Sequence, residues 1–153
     1  MRRRAGILAC LLMAACGGLG PQDAQRAELD ANRARWSSLG PDSYVYAMQR
    51  LCYCAVESIG PVRITVEADT VTERVYVETG QPVPEVARTA FPTVDGLFEI
   101  LERAMEDGAY EIRVTYDPDL GVPIDFWIDF LENAVDEELG VQVTESVEVL
   151  PQL

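Results

Sequence analysis

Neither a histidine nor a lysine occurs in this chain, and all twelve of its basic residues are arginine. Those two absences exclude whole classes of chemistry. Without His, no Ser-His-Asp or Cys-His nucleophile system can be built, and no imidazole is available to hold a metal. Without Lys there is no Walker phosphate loop and no Schiff base. Positive charge is scarce as well: the formal net charge is -14. Losing Arg2, Arg3 and Arg4 with a leader would leave nine arginines against 26 acids, a charge of -17. Such a surface repels nucleic acid and anionic lipid headgroups, so no nucleic-acid partner is expected. It tolerates a cationic partner or divalent ions, although an acidic solvated surface requires neither. The length of 153 residues suits one domain with a real core.

What is present begins with a leader. Met1–Ala15 has three basic residues, an apolar run Ile7–Ala14 and small residues before Cys16. The run is far shorter than the ~20 residues of a spanning helix. Leu12-Met13-Ala14-Ala15-Cys16 resembles the bacterial lipobox, with Met at a position where Leu is more usual. The resemblance implies that residues 1–15 are removed, Cys16 takes a diacylglycerol and the new N-terminus is acylated. Each buried methylene contributes about 0.8 kcal/mol, so three chains anchor far better than one. The expected location is the cell envelope, facing the periplasm or exterior. Gly17-Gly18 without an adjacent Asp favours the outer membrane in a Gram-negative cell. The rival reading is an ordinary secretory leader with an incidental Cys16. Cys10 lies within the apolar run and is filler.

Residues 16–21 then form a lipidated tether and residues 22–153 a single domain. Gln22–Ser37 reads as a helix whose only large apolar residues are Leu29 and Trp36, which places it on the surface of the fold. Gly40-Pro41 stops it. Tyr44–Met48, Val62–Val66 and Val71–Val77 alternate as strands, with a turn at Ala68-Asp69-Thr70 and a loop over Gly80–Pro92. Thr93 is a good N-cap, and Val94, Leu97, Phe98, Leu101 and Met105 form one apolar helical stripe. Tyr110–Tyr116 and Ile124–Phe130 read as a hairpin whose turn carries Asp117-Pro118 and Gly121. After the acidic connection Leu131–Gly140, Val141–Val149 is a last strand. The expectation is an α+β fold: an antiparallel sheet of about six strands (βββ-α-βββ), one amphipathic helix packed on one face and an N-terminal surface helix.

Trp36, Tyr44-x-Tyr46, Cys52-x-Cys54, Val62–Val66, Thr93-Val94-Asp95-Gly96-Leu97-Phe98, Tyr116-Asp117-Pro118 with Gly121-x-Pro123, and Asp136-Glu137-Glu138 together resemble one bacterial lipoprotein family, domain of unknown function 6174. The likeness runs from about Arg35 to about Val149. Asp69-Thr70 stands where Asp-Gly is expected, which leaves the turn type open. The resemblance implies no activity.

Candidate chemistry is thin. With Cys16 lipidated, Cys52 and Cys54 are the remaining pair, and outside the cytoplasm an even pair implies a disulfide. In a flat strand residues i and i+2 lie about 6.6 Å apart, so a bridge requires a bend. Reduced buried thiols and a redox-active pair remain the alternatives, with only Arg50 nearby to lower a thiol pKa. Asp117-x-Asp119-x-Gly121 lacks the oxygens of a calcium loop, and a looser cation site there or at Asp136-Glu137-Glu138 competes with plain turns. No metal and no cofactor is expected. Asp125 and Asp129 flank Trp127 on one strand face, a spacing open to acid–base work on a sugar or to surface binding. Tyr44, Tyr46 and Tyr53 are assigned to sheet packing. The reading that results is an exported, lipid-anchored envelope module, binding or structural rather than catalytic, with a membrane contact through Cys16 and an envelope protein as partner. The alternative is a thiol–disulfide protein using Cys52 and Cys54.

Overall fold

A computed structural model describes residues 20–151 of the chain. The expected leader, Cys16 and the tether up to Leu19 lie outside the described residues. Two helices, α1 (Pro21–Leu39) and α2 (Val94–Glu106), accompany six strands: β1 (Tyr44–Leu51), β2 (Val62–Glu67), β3 (Thr70–Tyr76), β4 (Glu111–Tyr116), β5 (Pro123–Asp129) and β6 (Leu139–Val149). The strands form one antiparallel sheet in the order β3-β2-β1-β6-β5-β4. The α+β class and the strand count agree with the sequence reading. The last strand lies in the middle, where it joins the β1–β3 meander to the β4–β5 hairpin. Strand order was the part that periodicity did not indicate.

One face of the sheet is dry. Tyr44, Tyr46 and Met48 on β1 stand beside Val62, Ile64 and Val66 on β2, with Phe126 and Ile128 on β5, all buried. The apolar stripe of α2 covers them, and Leu97, Phe98 and Leu101 are fully enclosed. Helix α1 runs antiparallel to α2: Arg26 and Arg33 near its start and middle hold Glu102, while Trp36 near its end reaches Asp95. Only two large residues attach α1 to the core. Leu29 and Trp36 are both buried, and side chains of that size contribute roughly 1.5–3 kcal/mol each. The arginine hydrogen bonds to Glu102, Arg33 foremost, hold its carboxyl below the usual range.

The Gly80–Pro92 stretch departs from its reading as a loop. It pairs Pro82 with Val75, forms a 3₁₀ turn over Glu85–Ala90, and sends Val83, Ala87 and Phe91 into the core. Its prolines hide this because they remove the periodicity on which a strand or helix is recognised. The β2–β3 turn has Ala68 at φ 47 and Asp69 at φ 61, the left-handed pair of a type I′ hairpin. Neither residue is glycine, and a left-handed alanine costs about 1–2 kcal/mol. Ser43 Oγ and the Asp42 carbonyl accept the Ala68 and Asp69 amides and hold the turn.

The helix layer is fixed to the sheet by two phenols. Tyr44 Oη accepts the Val94 amide at 3.0 Å, and Tyr46 Oη donates to the Pro92 carbonyl at 2.7 Å. Thr93 Oγ1 between them caps the Gly96 amide. Trp36 packs edge-on against Tyr44, with ring centroids 5.3 Å apart, and donates Nε1–H to Asp95. Burial pushes the Tyr44 hydroxyl up to about 12, so it stays a neutral hydrogen-bonding group across the ordinary pH range. We expect Tyr44→Phe and Tyr46→Phe each to cost about 1–2 kcal/mol in chemical denaturation, since each leaves a buried backbone group without its partner. Wild-type stability in both variants would refute this docking role.

Candidate functional site

Among the described residues, no helix packs on the second face of the sheet. In register across it, Arg113 on β4 stands opposite Trp127 on β5, Trp127 opposite Gly140 on β6, and Gly140 opposite Leu51 on β1. A Cβ on Gly140 would lie 2.9 Å from Trp127 Cε3 and 2.9 Å from Leu51 Cβ. The indole therefore rests on bare backbone, and the glycine is its seat. Elsewhere the face is polar: Gln49 donates to Gln142, and Arg63 grips Glu145 with two hydrogen bonds of 2.9 and 2.6 Å.

Strand β1 ends at Leu51, and the chain bends at Cys52 and Tyr53. The bend brings the Cα atoms of Cys52 and Cys54 to 5.2 Å, shorter than a flat strand allows, and the two cysteines are joined. Both are partly exposed. Tyr53 between them is 85% exposed, which corrects its assignment to sheet packing. A residue held between two bridged cysteines leaves the sheet with the bend that bridges them. Trp127, Leu51 and the bridge, with Asp136 and Glu138 from the β5–β6 connection, border a shallow groove of ≈ 410 Å³.

Arg50 lines the same groove. Partial burial lowers its pKa, yet among the described residues it makes no ion pair. In so acidic a chain, a half-buried arginine without a carboxylate is an unused cation. By sequence it stood out only as a neighbour of the cysteines.

Other candidates serve the fold. Asp117 Oδ1 accepts the Asp119 and Leu120 amides and shapes the β4–β5 turn, where Gly121 takes φ 78 with Asn32's carbonyl 2.5 Å from any added Cβ. Glu137 accepts the Phe130 and Leu131 amides and pins the β5–β6 connection. Asp125 and Asp129 share a face with Trp127 between them, but four residues of extended strand separate their Cα atoms by about 13 Å. Asp129 also accepts the Leu131 amide. Carboxylates that hydrolyse glycosides stand about 5–9.5 Å apart, and this strand does not bring the two together. Arg113 finds its acid on its own strand, with Nε 3.7 Å from Glu111.

The sequence profile of a family of unknown function, DUF6174, matches residues 28–148. The chain belongs to that family. No curated protein and no solved structure matches it. The family span runs from within α1 to β6, so it includes the docking tyrosines, the Asp117 turn, the Cys52–Cys54 bend and the groove. Cys16 lies outside it. We expect Gly140→Ala to displace Trp127 and to raise its quenching by acrylamide, at a cost of about 1–3 kcal/mol from overpacking. Unchanged quenching would show that the indole does not depend on that seat.

Proposed function

We propose that this family member is a lipid-anchored domain of the bacterial cell envelope, held by acyl chains on Cys16, that binds an envelope protein without catalysing a reaction. The anchor reading rests on the tripartite leader and the lipobox-like Leu12–Cys16. The binding reading rests above all on one observation: Trp127, half-buried on its glycine seat, borders the groove beside exposed Leu51 on the sheet face that no described helix covers. Aromatic side chains with low conformational freedom are the preferred anchors of protein interfaces. Among the described residues no acid–base pair converges around it, and the buried hydroxyls of Tyr44 and Tyr46 are engaged by Val94 and Pro92 at the start of α2.

A thiol–disulfide role is the second reading. The partial exposure of Cys52 and Cys54 beside a groove favours it, because exchange needs a path for an attacking thiolate. In that reaction a partner dithiol would pass two electrons to the bridge, leaving Cys52 and Cys54 as thiols and the partner oxidised.

A photo-crosslinking residue at position 142 or 127 tests the binding reading, with position 99 on the outer face of α2 as control. Capture of one envelope protein from positions 142 and 127 but not 99 is the expected result. Equal capture from all three, or none, would contradict it. In the same cells Cys16→Ser should release the chain from the membrane fraction, and retention there would contradict the anchor.

A further inference from the structure

Among the described residues, nine large apolar side chains are exposed, and they are not scattered. Six gather at one end: Leu51, Tyr53 and Val56 beyond β1, Tyr110 before β4, and Leu131 and Val135 beyond β5. The antiparallel order places the ends of β1 and β5 and the starts of β4 and β6 together at that end. Leu39 closes α1 at the other end, where Val149 pairs with Tyr44 at the start of β1. The first turn of α1 lies at the apolar end. Pro21 and Gln22 share a cavity of ≈ 430 Å³ with Tyr110 and Ile112, and Gln25 donates to the Ile112 carbonyl at 2.9 Å.

That placement meets the anchor. Three residues lie between Cys16 and Gly20, and that stretch of chain spans at most ~14 Å. A lipid on Cys16 therefore brings the apolar end, and not the far one, to the bilayer. Tyr53 and Tyr110 are the amphipathic aromatic type that settles at headgroup depth. The surrounding charge selects the headgroup. Asp129, Glu132, Asp136 and Glu138 repel an anionic surface, whereas a zwitterionic headgroup offers an ammonium to the acids and a phosphate to unpaired Arg50.

We propose that the end of the domain bearing Tyr53, Tyr110 and the Arg50 groove rests on a zwitterionic phospholipid surface. The far end, with the Ala68-Asp69 turn and the Asp117–Gly121 turn, then points away, and the Trp127 face stands upright and open to a partner. This orientation rests on the reading that Cys16 is lipidated.

The test uses the full chain purified from host membranes and reconstituted in vesicles of brominated phosphatidylcholine, with Tyr53→Trp compared with Val149→Trp. Both positions are exposed, so neither substitution threatens folding. Flotation with the vesicles reads the anchor, and quenching of the added emission reads the orientation. Co-flotation with quenching at least about twofold stronger at position 53 than at 149 is expected for an interfacial residue. Co-flotation with equal quenching, or stronger quenching at 149, would overturn the orientation and leave the anchor standing. Failure to float would overturn both. Replacing the lipid with brominated phosphatidylglycerol should weaken quenching at position 53, and equal quenching in the two lipids would overturn the zwitterionic preference.

Discussion

Two hydroxyls on one strand decide how this molecule is put together. Tyr44 and Tyr46 project from β1 onto the dry face and take hold of Val94 and Pro92, on either side of the Thr93 cap of α2. A helix start has amides without partners, and a buried one must find them in side chains. Here the sheet supplies them. Once the first turn of α2 is fixed, its apolar stripe has one way to lie, and α1 can close over it with two buried side chains and a shared glutamate. Trp36 then seals the junction by packing on Tyr44 and bonding Asp95.

This joint is built from residues that lie within the family match, and the family is one of unknown function. The residues that make the chain resemble its family are, for the most part, the joints of the scaffold. Trp36, Tyr44, Tyr46 and Thr93 dock the helix; Asp117 and Gly121 shape one turn; Glu137 holds another. Their chemistry is used up inside the domain. Three features are not used in this way: Arg50, which makes no ion pair among the described residues, Tyr53, which a bridged bend turns into solvent, and Trp127, seated on glycine.

The sequence showed the strands, both helices and the β4–β5 hairpin, because alternation and the 3.6-residue stripe are local signals. It showed the need for a bend at Cys52-x-Cys54, since flat-strand spacing is too long for a bridge. It did not show that β6 lies between β1 and β5, because pairing partners distant in sequence leave no local trace. Phe91 and Ala87 were hidden among prolines. The hydroxyl roles of Tyr44 and Tyr46 were hidden for a different reason: packing explains a tyrosine in a strand well enough that a second task is not sought. Arg50 was passed over because one arginine looks like any other until its lack of an ion pair can be seen.

The account stands on an anchored domain whose cysteine bend is a structural joint. The most direct measurement is the intact mass of the chain taken from bacterial membranes, with thiol alkylation before and after reduction. The account predicts a diacylglycerol and an acyl chain on Cys16, with Cys52 and Cys54 alkylated only after strong reduction. An unlipidated mass would contradict the anchor, and cysteines alkylated at once or after mild reductant would replace the structural joint with a redox one.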